Sequence, residues 1–454
     1  MHPIPPGYHS TPESRIPTPA LPPGPRRLAA LDFARATLSA PGPVLQRLAR
    51  EHGDPFRLST PAGPVTYTGD PELIRAIYTA DPDHFEPAGV EITLPIFGTA
   101  GATVTQGARH RRDRKLLSAP FHAAMRAYAA TVAEITEQTA SRWIPGRPFP
   151  MLASTQDLAL DIILRVVFGL QDAARAAAVR AAVLRLIESL NPLVFFFPVA
   201  RHEFYGFGPW SRLLRARESL DALLRDEIRA RLAAPPGRQD VLSLLVHARD
   251  DEGQSMTEDD LLDQLRTLLF AGHETTAVAL TYALYYLHRD PAALARTRAE
   301  LDALGPHEAP DALVSLPWLE AVCQETLRIR PPVVDVSRTL RRPFHLGPFT
   351  IPAGESITPS PLLLHARPDL YPDPDRFRPE RFLERKFSPF EYIPFGGGAR
   401  RCLGAAFAMF ELKVALGVLL RGRRLRLAST APIPHVRRGI TLGPRGDVPM
   451  ILER

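Results

Sequence analysis

Apolar residues recur at three-to-four spacing from Thr257 to Pro291 without a break. Thr257 suits an N-cap, with Asp260 three residues on, and Pro291 ends the pattern. The run is long for a surface helix, and its middle, Leu265 to Leu284, is apolar on most sides. The spacing therefore predicts a helix that crosses the interior, with the rest of the chain folded around it. Further helical periods cover residues 120–145, 155–190 and 210–233, and an apolar helical run extends from Leu403 to Leu420. Short β-type patterns at Pro55–Leu58 and Val65–Thr68 predict a small sheet near the N-terminus. From Pro331 onward short strands and proline turns take over, closing in a hairpin-like stretch from Ile433 to Leu452. The expected class is mainly α with minor β.

Two segments carry chemistry. Inside the long helix lies Ala271-Gly-His-Glu-Thr-Thr276. A carboxylate in a buried helix needs a partner, a threonine hydroxyl there competes for backbone carbonyls, and such local conflicts tend to mark function. On the residues alone, Glu274 fits either a structural salt bridge or a proton relay, and Thr275 either a satisfied helix threonine or a catalytic hydroxyl. The other segment is Phe395-Gly-Gly-Gly-Ala-Arg-Arg-Cys-Leu-Gly404. A cysteine between a glycine-rich turn and an apolar helix can offer its sulfur to a metal from a rigid loop. Gly396 to Gly398 permit positive φ and close approach of main chain to a flat ligand. A lone cysteine in such a place is otherwise a small buried apolar residue.

The pattern Phe-x-x-Gly-x-Arg-x-Cys-x-Gly, filled by Phe395, Gly398, Arg400, Cys402 and Gly404, resembles the haem-binding signature of the cytochromes P450. The resemblance extends over roughly residues 20 to 450. It implies the fold of that family, a long central helix over haem b (iron protoporphyrin IX), with Cys402 as the axial thiolate that pushes electron density onto iron and favours O–O cleavage. Phe395 would cover the sulfur, and Gly404 would let the next helix lie against the macrocycle. Ala271 to Thr276 resembles the family's oxygen-activation motif, in which Thr275 orients the co-substrate dioxygen and Glu274 helps relay protons, a general-acid task. His273 stands at the variable position of that motif. Glu325 and Arg328 share one helix face. Together with Pro331-Pro332 and the downstream Pro379-Glu-Arg-Phe382 they resemble the family's buried Glu-Arg-Arg cluster, which implies that Arg381 is the third member and that the cluster holds the cysteine loop. The same resemblance assigns the haem propionates to His110, Arg114, Arg338 and Arg400, leaving Arg111 and Arg112 on the surface. It draws a substrate pocket from Ile92, Leu94, Ile96 and Phe97, from Phe196 within Leu193–Ala200, from Leu268 and Ala271, from Val333 and Val334 through Val336, and from Ile440. All are apolar, as a ligand pocket requires, and each could equally be core.

Composition narrows the alternatives. Net charge is only +6, and the basic runs Arg109–Lys115 and Arg421–Arg426 lack interleaved aromatics that could stack on bases, so nucleic acid is not an expected partner. Two cysteines cannot build a disulfide framework, a four-cysteine zinc site or a protein-held iron–sulfur cluster. A reducing compartment fits such cysteine usage. No run approaches the roughly 18 consecutive apolar residues of a membrane span, and Met1 to Pro25 is polar and proline-rich, without a signal core or anchor. The expectation is a cytoplasmic monomer with no membrane anchor, in which a flexible proline-rich 1–20 precedes a single domain over 21–454. The family resemblance implies a monooxygenase that inserts one oxygen atom from dioxygen into a hydrophobic small molecule. Fatty acid hydroxylation is the first expectation, terpenoid or polyketide hydroxylation or epoxidation the second. With no flavin or ferredoxin module before Arg454, electrons are expected from a ferredoxin or flavodoxin with its NAD(P)H reductase, steered by Arg401, Lys413 and Arg421 to Arg424. Two other readings stay open. One is a peroxygenase, isomerase or dehydratase that needs no electron partner, against which Glu274-Thr275 speaks; the other is a non-catalytic haem or lipid-binding sensor, for which an output domain would be expected.

Overall fold

The long helical period forms one helix, Glu258–Arg289. Its start is a capping box between Thr257 and Asp260, with Glu258, Asp259 and Asp260 in the first turn and His288 and Arg289 in the last, so both ends oppose the helix dipole. The computed structural model describes residues 20–25, 39–60, 62–123, 128–190, 201, 206–235, 237–305, 308–334 and 336–453. Residues 1–19 and Leu193–Ala200, Phe196 included, lie outside them, as does the side chain of Ile92.

The central helix is the hub of the main apolar core, which joins it to the helix Met151–Val166, the Glu325 helix (Pro317–Ile329) and the post-cysteine helix (Ala405–Leu420). Gly272 brings the first of these close: a methyl there would lie 3.0 Å from Ile163. Helices Gly107–Ala123, Ala129–Ala140, Ala173–Ser189 and Pro209–Ala233 complete that side. Among the described residues no helix is long and apolar enough to cross a membrane.

The strands gather beside the helices. β1 (Phe56–Thr60), β2 (Gly63–Thr68), β3 (Phe85–Pro87), β5 (Arg338–Leu340) and β8 (Ser356–Pro359) form one sheet in the order β1-β2-β8-β5-β3, with only β2 and β8 parallel. That sheet fixes Arg338 at the start of β5, opposite Pro87 and Ile357. A second sheet joins β4 (Pro148–Pro150), β12 (Pro449–Leu452) and β9 (Leu425–Leu427). Two-stranded ribbons join β6 (Phe344–Leu346) to β7 (Phe349–Ile351), and β10 (His435–Arg438) to β11 (Thr441–Pro444).

Three boundaries differ from the sequence-based expectation. The stretch 433–452 is not one hairpin, because its last strand leaves to pair with β4 and β9. The period over 155–190 is two helices, Met151–Val166 and Ala173–Ser189, parted where Gly169 takes φ +58° and Asp172 caps the second. The period over 120–145 likewise divides, its first helix starting earlier, at Gly107, behind a polar first turn that hides its periodicity. At Gly169 a methyl would lie 2.5 Å from the Asp240 carboxylate, which caps the helix Val241–His247. Gly169→Ala is expected to cost at least about 1–3 kcal/mol, from backbone strain plus displacement of that cap, read as a lower midpoint in chemical denaturation.

Candidate active site

The cysteine loop is shaped by what packs beneath it. Gly396 and Gly398 take φ +62° and +63°, and the Cys402 N–H donates to the Phe395 carbonyl at 2.9 Å. Tyr78, at the end of the helix Pro71–Thr79, lies against the glycines so closely that a methyl at Gly397 would sit 2.2 Å from its ring. Arg338 stacks on Tyr78, with its guanidinium carbon 4.8 Å from the ring centre, and donates from Nη2 to the Gly397 carbonyl at 2.9 Å. Cys402 keeps accessible surface, yet its thiol is pushed up, first by burial, while the Gly404 main chain and the charges of Arg114 and Arg401 pull it down. Both observations hold together when the accessible surface faces interior space rather than bulk water. Phe395 is half-buried against the main core, and Gly404 opens the post-cysteine helix.

A buried ionic cluster braces this loop from below. Glu325, with no exposed surface, receives Arg328 Nε at 2.7 Å and Nη2 at 2.9 Å, Arg381 Nε at 3.1 Å and the Arg378 N–H at 2.9 Å. The arginines spend their remaining donors on carbonyls, Arg328 on His365 and Pro374 and Arg381 on Pro372. His365 passes the connection on. Its Nε2 accepts from the Ile393 N–H at 3.0 Å, which leaves the proton on Nδ1 to donate to the Arg328 carbonyl at 3.2 Å. Burial and the Arg328 charge push this imidazole down to about 3.

Above the loop, cations gather without anions. His110, Arg338 and Arg400 line one pocket with Tyr78 and Gly398. Arg114, four residues beyond His110 on the same helix, donates to the Arg401 carbonyl at 2.5 Å. Burial lowers Arg114, Arg338 and Arg400, the last to about 10 with help from the Arg338 and Arg114 charges. His110 is driven down to about 4 by burial and by Arg400, Arg114 and Arg111. Arg400 donates to the carbonyls of Ala102 and Thr105, and Arg338 keeps Nη1 buried without a partner. None of the three arginines pairs with a carboxylate among the described residues. By contrast Arg109, Arg111, Arg112 and Lys115 each meet an aspartate.

Midway along the otherwise buried central helix one face opens, formed by the half-buried Leu268, Gly272 and Thr275 and the exposed Ala271. The Thr275 hydroxyl donates to the Ala271 carbonyl at 2.7 Å. Glu274 accepts from Gln156 Nε2 at 2.6 Å and faces Arg438 Nε at 3.3 Å. His273 is buried on another side of the helix, its Nε2 without a partner, and burial lowers it. Of the other apolar residues assigned to the pocket, Leu94 and Val333 are half-buried and Ile440 is exposed at the β10–β11 tip. Ile96, Phe97 and Val334 are buried, with Phe97 set edge-on to Phe270.

The sequence profile described as Cytochrome P450 matches residues 19–447. Cytochrome P450 135B1 of Mycobacterium tuberculosis is 37% identical over 431 residues, covering 91% of this chain and 90% of its own length. Cytochrome P450 138 of the same species is 34% identical, over 90% of this chain and 91% of its own. The chain belongs to the cytochrome P450 family. Among solved structures, retinoic acid-bound cyanobacterial CYP120A1 superposes with a TM-score of 0.83 at 26% identity, over 96% of this chain and 99% of that one. The haem domain of cytochrome P450DA superposes at 0.84 with 23% identity, covering 96% of this chain and 97% of its own length, and so speaks to the fold alone.

P450 enzymes are haem monooxygenases that use dioxygen, and the residues here suit that cofactor. Haem brings two carboxylates to a pocket in which Arg111 pairs with Asp83 but Arg338 and Arg400 lack any carboxylate, and Arg338 Nη1 is buried and unmatched. Burial raises the Cys402 thiol, and a bound metal cation would offset that cost by favouring the thiolate. One partner-facing assignment is corrected: Lys413 is buried, donating to the Val314 carbonyl and to Glu320, and Arg423 pairs with Glu137, while Arg401 is exposed. Tyr78 and His365 escaped the sequence reading, since neither sits in a motif and their partners are distant in the chain. Cys323 is fully buried, its thiol pushed up to about 12 by burial, and serves as packing.

Two outcomes are expected. Glu325→Ala strands two buried arginines, a loss on the order of 3–5 kcal/mol, and should yield protein with a haem-to-protein absorbance ratio near zero. An unfolded histidine titrates near 6.5, so between 6.5 and about 3 the unfolded chain binds a proton that folded His365 refuses. Stability should therefore fall as pH drops through that window, with this residue contributing up to about 2 kcal/mol between pH 6.5 and 5. His365→Asn should be less stable at pH 7 but show a shallower pH slope in denaturant titrations.

Proposed function

We propose that this P450 oxidises an elongated, apolar carboxylic acid, with fatty acids and retinoid-like terpenoid acids as the substrate class. It works in the cytoplasm, on electrons from a ferredoxin or flavodoxin and its NAD(P)H reductase. The observation that carries this is the open apolar face of the central helix, Leu268 and Ala271 beside the Thr275 hydroxyl, together with the likeness to a P450 solved with retinoic acid. Haem held through Cys402 supplies the reductive activation of dioxygen. Arg114, Arg338 and Arg400 match the propionate charges, and neutral His110 adds a hydrogen bond. Burial pushes the Cys402 thiol up, and the Gly404 N–H and the Arg114 and Arg401 charges only partly offset it, so the iron itself would supply the charge that keeps the thiolate.

The remaining work falls to the central helix. Thr275 already directs its proton to the Ala271 carbonyl, so its oxygen lone pairs point outward to accept a hydrogen bond on the open face. Glu274 is the adjacent ionisable group from which a proton can be passed toward that hydroxyl. Arg401 is the exposed cation beside the cysteine and the first contact for an acidic electron donor.

The reduced protein with carbon monoxide should show the strongly red-shifted Soret band of a thiolate-ligated haem, and Cys402→His should abolish it. Retinoic acid or palmitic acid should blue-shift the ferric Soret band, whereas shifts confined to neutral natural products would exclude the acid class. In Thr275→Ala, product formation should drop by about 10²-fold while NADPH oxidation continues. Faster turnover with hydrogen peroxide alone than with a redox chain would favour a peroxygenase.

A further inference from the structure

Glu274 belongs to the central helix, yet its carboxylate is held by two other elements. Gln156, on the helix Met151–Val166, donates to Oε2 at 2.6 Å, and Arg438, the last residue of β10, faces Oε1 at 3.3 Å. The hydroxyl of Thr275 is engaged with its own helix instead. The acid is thus drawn toward the hairpin.

The hairpin is fixed unevenly. Its base and middle are pinned: His435 Nδ1 meets the Tyr282 hydroxyl at 2.9 Å, and the Leu442 N–H donates to the Pro332 carbonyl at 2.7 Å. At Gly443 a methyl would come within 3.1 Å of Val278, so the strand rests directly on the central helix. The tip is different. Gly439 takes φ +64°, Ile440 is exposed, and Arg438 reaches across to Glu274. A two-stranded ribbon has little stability of its own, so a tip tied to the helix through a charge pair has a hinge at its pinned base. Side chains of Arg438 and Glu274 are 32% and 22% exposed, which places the pair among those weak enough to open and close.

We propose that Arg438 is a positioning residue that withholds Glu274 from the Thr275 face, and that displacement of the β10–β11 tip, as by an apolar ligand pressing on Ile440, releases the acid. This rests on the monooxygenase activity proposed above. It makes proton supply conditional on occupancy and so limits oxygen consumption without substrate.

The test uses ligand-free holoenzyme. Amide exchange at residues 436–444 should rise about tenfold in both Arg438→Gln and Glu274→Gln, with no further rise in the double variant, because each removes the same tie. Arg438→Lys should restore protection. With a plant-type ferredoxin and its reductase, ligand-free NADPH oxidation should rise about fivefold in Arg438→Gln and in Ile440→Trp, whose added bulk displaces the tip, and fall in Glu274→Gln. Unchanged exchange in Glu274→Gln, additive effects in the double variant, or a fall in NADPH oxidation in Arg438→Gln would each overturn the proposal; no change in Ile440→Trp would remove its ligand-driven part. Absence of the thiolate band or of any oxygen uptake in the unsubstituted holoenzyme would refute the monooxygenase activity instead, and the exchange comparison would still decide whether the tie exists.

Discussion

A carboxylate with no exposed surface is the constraint on which the cysteine site depends. Four donors from three residues, Arg328 on its own helix and Arg378 and Arg381 downstream, converge on Glu325 and offset the cost of burying it. Satisfying it fixes the path of the chain from residue 372 to 381, since Arg328 and Arg381 also consume carbonyls there. Through the Arg328 contact with His365, and the His365 contact with Ile393, the same charge sets where the cysteine loop begins. The loop's position is thereby over-determined. A sulfur that must meet a metal at a fixed distance needs that rigidity more than it needs any particular neighbour.

The two faces of the site solve opposite electrostatic problems. Below, the Glu325 carboxylate is matched inside the chain by Arg328 and Arg381. Above, Arg114, Arg338 and Arg400 are desolvated and repel one another, a costly arrangement if nothing else occupies the pocket. The nearby helix surface shows that the chain does pair arginines where it has no other use for them, since Arg109, Arg111, Arg112 and Lys115 all meet aspartates. Arg114, Arg338 and Arg400 carry positive charge that a dicarboxylate cofactor would neutralise, so cofactor binding and folding stability become linked.

Sequence alone disclosed what is written locally. The Thr257–Asp260 cap, the Glu274-Thr275 conflict and the cysteine spacing involve residues a few positions apart, and the long helix lies where its period places it. Supporting contacts were invisible because they join distant segments by shape: Tyr78 under Gly397, His365 beneath Ile393, Gln156 and Arg438 on either side of Glu274. Aromatic, amide and arginine residues at such places look like ordinary helix or strand residues. The stretch 433–452 was misjudged for a related reason, because alternation reveals a strand but not which neighbour it joins. Pocket membership was the least legible, since apolar residues at core and cavity obey the same pattern, and only burial separates the packed Phe97 and Val334 from the open Ala271.

The central helix reconciles these demands by presenting different sides to different neighbours. Consecutive residues diverge by about 100° around a helix of 3.6 residues per turn, so His273, Glu274 and Thr275 cannot share a direction. His273 is buried, Glu274 goes to the polar seam with Gln156 and Arg438, and Thr275 goes to the open face. A proton moving from the acid to the alcohol must cross from one side of the helix to another, which a fixed backbone cannot arrange and a side-chain swing can. In the proposed relay, an element that grips Glu274 acts on proton supply without touching the substrate. The hairpin that holds it through Arg438 also bears Ile440 at its tip, so the proposed ligand sensing and control of the acid fall to one short ribbon.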